Sequence, residues 1–114
     1  MNNMNYITHN DSTEIDINGT HGQGQANCSY ATLVKAFGLP LDGDGYKVDA
    51  EWWAVFEDGT RATIYNWKNG KNYCGADGLD LDQIGIWNIG GNNYDAVTRV
   101  LEVIKSIHNE GATV

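Results

Sequence analysis

The sequence predicts an α+β fold: a mainly antiparallel sheet with one short helix and one long C-terminal helix packed on it. Three observations carry that expectation. Asp58-Gly59 separates two runs rich in aromatic and β-branched residues, the signature of a hairpin. Ala96, Val97, Val100, Leu101, Ile104 and Ile107 fall at helical spacing on one stripe, with Asp95, Arg99, Glu102 and Lys105 off it. Ser29 stands as an N-cap before Leu33, Val34 and Phe37, and Gly38 with Pro40 ends that shorter helix.

Taken in order, the first dozen residues are polar and Asn-rich, an irregular segment or an edge strand around Tyr6-Ile7-Thr8. Glu14-Ile15-Asp16-Ile17 alternates polar and apolar, the period of a half-buried strand, and Asn18-Gly19 turns the chain. Gly19 to Gln25 reads as a glycine-spaced polar loop. The hairpin runs from Lys47 to Glu57 and returns from Thr60 to Lys68. A two-residue Asp58-Gly59 loop sets Glu57 opposite Thr60, so that Trp53 faces Ile64 and Val55 faces Ala62 on one side of the sheet. Trp52 then faces Tyr65, Ala54 faces Thr63 and Phe56 faces Arg61 on the other, with Trp67 beyond. Lys71 to Asp82 is a Gly/Asp loop, and Ile84 to Ile89 is a further strand ended by Gly90-Gly91. Asn92 or Asn93 caps the last helix. Both hairpin faces are thus apolar or aromatic, and the helices cover only one. The Trp52, Phe56, Tyr65 and Trp67 face needs N-terminal segments, another subunit or a ligand to close it. The expectation is a homo-oligomer, a dimer or higher.

A chain of 114 residues with a single proline makes one domain, residues 1–114. Seven Lys and Arg against fifteen Asp and Glu give a net charge of −8, which weighs against a nucleic-acid duplex or an anionic membrane as partner. Neither a signal peptide nor an apolar run of about 18 residues is present, so a cytoplasmic protein is expected. In that compartment Cys28 and Cys74 read as free thiols.

Catalytic and metal chemistry find little support. Asp42-Gly43-Asp44-Gly45 opens like a calcium loop, but Tyr46 replaces an oxygen ligand, Lys47 the glycine and Trp53 the final glutamate. Asp77, Asp80 and Asp82 follow no ligand ladder, and His9, His21 and His108 have no zinc spacing relative to the cysteines. No nucleophile elbow or phosphate loop occurs, and Asp49 with Glu51 is a carboxylate pair in a chain rich in carboxylates. His21 reads as a turn histidine rather than a general base. No metal, cofactor or catalytic residue is expected, and the chain does not read as an enzyme.

Binding chemistry is better represented. A nucleotide wants flat rings for its base, cations for its phosphates and amides for its polar edges. Trp52, Tyr65, Trp67, Tyr73 and Trp87 supply rings; Arg61, Lys71, Arg99 and Lys105 supply charge; Asn66, Asn88, Asn92 and Asn93 supply amides. Each has an ordinary structural role open to it as well. The tryptophans serve equally as core or interface, Arg99 as a partner of Asp95 and Glu102, and Arg61 as a cover for Phe56.

The segments Gly43 to Trp52, Phe56 to Lys68 and Trp87-Asn88-Ile89-Gly90-Gly91, with Thr20-His21-Gly22 and the Leu33 to Gly38 helix, resemble a family of small phage-encoded anti-defence proteins. These are the sponges of the Thoeris anti-defence type, and the resemblance spans roughly residues 20–92. It implies non-catalytic sequestration of a cyclic ADP-ribose isomer, with cyclic oligonucleotides of related immune systems (CBASS) as further ligands in separate pockets of an oligomer. Stacking, amide and cation arguments select Arg61, Tyr65, Trp87, Asn88, Asn92 and Arg99 as ligand contacts, and Thr20 and His21 as candidates for a second site. The alternative is a phage inhibitor that docks on a host defence nuclease, as an anti-CRISPR or a weak DNA mimic. A small hydrolase of the same signal is a further rival.

Overall fold

The computed structural model describes residues 5–11 and 14–112. Its elements are β1 (Tyr6–Thr8), β2 (His21–Asn27), α1 (Tyr30–Phe37), β3 (Glu51–Phe56), β4 (Arg61–Tyr65), α2 (Lys71–Cys74), β5 (Ile86–Gly91) and α3 (Asp95–Ala112). Two 3₁₀ turns, Gly75–Asp77 and Leu81–Gln83, lie between α2 and β5. The strands form one antiparallel sheet in the order β1-β3-β4-β5-β2, so the α+β architecture and the long C-terminal helix are as expected.

Local chemistry accounts for the helix ends. Ser29 Oγ accepts from the Thr32 amide at 3.1 Å, satisfying one free donor of the first turn of α1, and the Gly38 amide closes on Val34 O at 2.8 Å. Asn93 Oδ1 accepts from the Asp95 amide at 2.8 Å at the start of α3. On α3 the residues Ala96, Val97, Val100, Val103 and Ile104 are buried, whereas Leu101, expected on that stripe, is 41% exposed. Val103 takes its place because the buried arc is turned slightly round the helix from the expected one, away from Leu101 and toward Val103.

The hairpin register differs from expectation by one residue. Phe56 N donates to Thr60 O and Gly59 N to Phe56 O, both at 2.8 Å, so the loop has three residues, Glu57-Asp58-Gly59. Gly59 takes φ +88°, the left-handed conformation that ends a type I turn in a bulged hairpin. Trp52 therefore pairs with Ile64 and Ala54 with Ala62, while Trp53 pairs with Thr63 and Val55 with Arg61. A one-residue slip reverses which side chains share a face. Trp52 and Phe56 consequently lie under the helices, and only Tyr65 and Trp67 of the expected aromatic face remain away from them.

The N-terminal third is also rearranged. Residues 14–17 form no strand; Ile15 is buried and Asp16 O accepts from Arg61 Nη1 at 2.7 Å, so the segment lies against the sheet instead of pairing in it. The alternating pattern reports one buried side, which either arrangement provides. The glycine-spaced stretch is itself strand β2, paired with β5 and with an irregularity between Gly22 and Gly24. A Cβ at Gly24 would come within 3.0 Å of Val97 Cγ2, so the small residue lets α3 settle on this strand. Gly90 and Gly91 likewise belong to β5 instead of ending it.

The core lies between the sheet and helices α1 and α3. Trp52 and Trp87 meet edge to face at 5.3 Å, both completely buried, with Leu33, Phe37, Ile64, Ile89 and Val100 around them. Trp52 Nε1 donates to Gly38 O at 2.8 Å, and the Tyr6 hydroxyl donates to Ala36 O at 2.7 Å, tying β1 to α1. No helix among the described residues is long and apolar enough to cross a membrane.

Candidate functional site

The residues selected from sequence separate into three places. Thr20, His21, Arg61, Asn92 and Arg99 gather at the hairpin end of the sheet: His21 pairs with Gly91, Asn92 Oδ1 accepts from the Arg61 amide at 3.2 Å, and Arg99 reaches the hairpin loop. Tyr65 and Asn88 are direct cross-strand partners on the face away from the helices, in a row with Glu51 and Gln25. Trp87 stands apart from both. It has no exposed surface and packs on Trp52, so it presents no ring face for a ligand to stack on.

At the hairpin end the cations are engaged. Arg99 donates to Asp58 Oδ2 from Nε and Nη2 at 3.2 and 3.1 Å, and to Glu102 Oε1 from Nη1 at 3.0 Å. Glu102 and then Asp58 raise its pKa further, so the guanidinium stays charged. Arg61 lies opposite Val55 and not Phe56, and its Nη1 is held by Asp16 O. The Thr20 hydroxyl donates to Ile17 O at 2.7 Å, while His21 is exposed.

In the middle of the open face, Tyr65 lies over a glycine floor. A Cβ on Gly90 would stand 2.6 Å from Thr63 Oγ1 and 3.6 Å from Tyr65 Cε1, so only glycine admits this packing. Burial and then the Glu51 carboxylate raise the Tyr65 pKa, which keeps the hydroxyl protonated. Asn88 Oδ1 accepts from Gln25 Nε2 at 3.3 Å.

The third place brings together aromatic rings and lysines at the opposite end of the hairpin. Tyr46, Trp67 and Tyr73 are 56, 46 and 41% exposed, and the Tyr46 and Tyr73 rings lie 5.2 Å apart. Lys47 Nζ sits 5.4 Å from the Trp67 centroid and 5.6 Å from that of Tyr46. Lys68 Nζ sits 5.8 Å from Trp67 and 5.6 Å from Tyr73. The backbone builds this cluster: Lys68 N donates to Lys47 O at 2.8 Å, with Lys68 in the left-handed region at φ +59°. That conformation costs a non-glycine residue about 1–2 kcal/mol. Each exposed cation–ring contact returns about 0.5–1 kcal/mol.

Beside Tyr46 and Tyr73 in sequence lies an open recess of about 560 Å³ lined by Asp42, Gly43, Asp44, Gly45, Asp49, Asn72 and Leu81. Its carboxylates are largely spent on the protein. Asp44 Oδ1 accepts from the amides of Tyr46, Lys47 and Val48 at 2.8–3.0 Å, and these bonds, Val48 first and then Tyr46, hold its pKa below the ordinary range. Asp49 accepts from Asn66 Nδ2 and the Asn72 amide at 2.9 and 3.1 Å. Asn66 is completely buried, and its Oδ1 in turn accepts from the amides of Asp49 and Ala50. His9 is engaged as well, its Nδ1 accepting from the Trp53 amide at 3.2 Å and its Nε2 donating to Leu39 O at 2.8 Å. Among the described residues no three His, Cys, Asp or Glu side chains are placed to hold a metal ion.

Of this third cluster, Trp67 and Tyr73 are legible in the sequence as stacking rings, whereas Tyr46, Lys47 and Lys68 are not singled out. The signal available is the repeated aromatic–lysine pair, Tyr46-Lys47 and Trp67-Lys68, at the two ends of the hairpin region. The family comparison and the comparison with curated proteins each returned no match to this chain.

Proposed function

We propose that the protein binds a cyclic nucleotide signal of the cyclic ADP-ribose class and sequesters it without cleavage, blocking anti-phage signalling. The observation that carries this reading is the open cluster of Tyr46, Trp67 and Tyr73 with Lys47 and Lys68. Exposed rings offer a base a stacking surface worth about 1–3 kcal/mol, and lysines resting on those rings swing onto a phosphate with little rearrangement. On a chain of net charge −8 this pair of cations provides a local anion site against the overall field. Sequestration asks for affinity and slow release and needs no reacting group.

Titration calorimetry with cyclic ADP-ribose isomers and cyclic oligonucleotides tests the reading, followed by heat release and analysis of the ligand. Binding with intact ligand recovered is the expected result. Trp67→Ala and the double variant Lys47→Ala/Lys68→Ala should each weaken it by about tenfold or more, equivalent to about 1.4 kcal/mol. If Arg61→Ala or Arg99→Ala weakens binding instead, the site is the hairpin end. Time-dependent product would replace sequestration with hydrolysis. Failure of every cyclic nucleotide to bind would transfer the function to direct inhibition of a host nuclease.

A further inference from the structure

We propose that Asn66 and Asp49 are the positioning residues of the ring–lysine cluster, joining its two arms beneath the surface. The inference rests on the reading of that cluster as the ligand site and concerns what holds the site in shape before a ligand arrives. One arm, residues 46–50, carries Tyr46 and Lys47 ahead of β3; the other, residues 67–73, carries Trp67, Lys68 and Tyr73 after β4. The paired ladder of these two strands ends at Glu51 and Tyr65, short of every ring and lysine of the cluster. Beyond that point something other than the sheet must set one arm against the other.

The side chain of Asn66 does this. It is completely buried, and both acceptor positions and both donors of its amide are used. Its Oδ1 accepts from the amides of Asp49 at 2.7 Å and Ala50 at 3.1 Å, on the first arm. Its Nδ2 donates to Asn69 Oδ1 at 3.0 Å, on the second arm, and to Asp49 Oδ1 at 2.9 Å. Asp49 makes the return connection: its Oδ2 accepts at 3.1 Å from the amide of Asn72, the neighbour of Tyr73, and Asn72 Nδ2 donates to Val48 O at 3.4 Å. A Cβ on Gly70 would collide with the Asp49 carboxylate, so glycine at that position lets the two arms approach. Past this node the arms meet again through Lys68 N and Lys47 O.

The cluster above cannot hold this arrangement by itself, because each cation–ring contact at an exposed ring is weak. The node can. Moving either arm would leave a polar group of Asn66 without a partner and away from water, so the two arms hold one relative position. A site shaped in advance spares its ligand the ordering of two loops on binding. Asn66 has no exposed surface and so meets no ligand; it acts only through the arms it joins.

Ion quenching of tryptophan fluorescence tests this without a ligand, since Trp67 is the exposed one of the four tryptophans. Lysines beside its ring draw iodide in and keep caesium away, so the ratio of the two quenching constants reports the assembled cluster. Asn66→Ala and Asp49→Ala should each lower that ratio by at least about twofold. Each should also weaken binding of the cyclic ADP-ribose isomers by about tenfold, or about 1.4 kcal/mol. Loss of the Asp49 charge alone would raise the ratio, so a fall reports displaced lysines. Ile64→Val, a core substitution in β4, costs stability but should leave both readouts at their wild-type values. Asp49 is only half-buried, so its variant decides the matter if Asn66→Ala does not fold. A wild-type ratio in either folded variant overturns the proposal, as does an equal fall in Ile64→Val. A lowered ratio with unchanged affinity supports the positioning and moves the nucleotide to another site. If no cyclic nucleotide binds the wild-type protein, the functional reading fails and the quenching ratio alone decides the positioning.

Discussion

Arg99 in the last helix holds Asp58 in the hairpin loop through two guanidinium nitrogens converging on one carboxylate oxygen, at 3.1 and 3.2 Å. The other oxygen of Asp58 accepts from the Thr60 amide at 2.9 Å and shapes the turn. One side chain thus fixes the loop locally and fastens it to a helix far away in sequence.

Acid should loosen this fastening. Bonds from Thr60 first, and then Arg99, hold the Asp58 pKa below its ordinary value, and three backbone amides do the same for Asp44. A carboxyl whose folded pKa is depressed contributes fully above its unfolded value, about 3.9, and the contribution is lost as pH falls through the folded value. Urea midpoints should therefore hold steady down to about pH 5 and fall below about pH 4. Asp58→Asn and Asp44→Asn should each flatten that fall. An unchanged slope in the double variant would assign the acid sensitivity to other groups.

The two core tryptophans should respond unequally to replacement by phenylalanine. Trp52 gives up the bond from Nε1 to Gly38 O, whereas the buried Nε1 of Trp87 has no hydrogen-bond partner among the described residues. Both substitutions lose packing, but Trp52→Phe also strands a carbonyl, an extra cost of about 1 kcal/mol. Urea denaturation of the two variants reads the difference directly. Equal losses would mean that the Gly38 carbonyl finds another donor.

Gly59 offers a purely conformational test. No atom of the described residues lies within 4 Å of a Cβ built there, yet its φ is +88°. Gly59→Ala should cost about 1–2 kcal/mol through backbone strain alone, and Gly59→Asn distinctly less, since asparagine tolerates this region. Thermal unfolding distinguishes strain from steric clash, because a clash would penalise the larger asparagine more.

The cysteines should label at different rates. Burial raises the Cys28 thiol to about 11, leaving almost no thiolate near neutrality, whereas Cys74 is exposed. Iodoacetamide at pH 8 should modify Cys74 alone in the native protein and both cysteines in urea. Rapid native labelling of Cys28 would show that β2 or α1 opens readily.

Fold class, both main helices and the hairpin were legible because their signals are local: a cap at Ser29, a 3.6-residue stripe, an Asp-Gly turn. The register was not, since Asp58-Gly59 serves a two-residue loop and the last two positions of a three-residue loop equally well. Periodicity could not distinguish residues 14–17 lying on the sheet from a strand within it, and the glycines of β2 hid a strand whose stability comes from β5 and α3. At the candidate site Trp67 and Tyr73 could be read as rings. Lys47 and Lys68 could not, because their convergence depends on a backbone bond between distant residues and on the left-handed turn at Lys68.

The strand order β1-β3-β4-β5-β2 places the first two strands of the chain at opposite margins of the sheet. β3, β4 and β5 are consecutive in sequence and adjacent in space, so they can assemble from short-range closures while the N-terminal third is still unattached. Each margin then closes over a long span of chain, β1 onto β3 and β2 onto β5, and the two closures are separate events. Ribosomal synthesis sharpens the delay, because the first strands to emerge must wait for β3 and then for β5 before either has a neighbour.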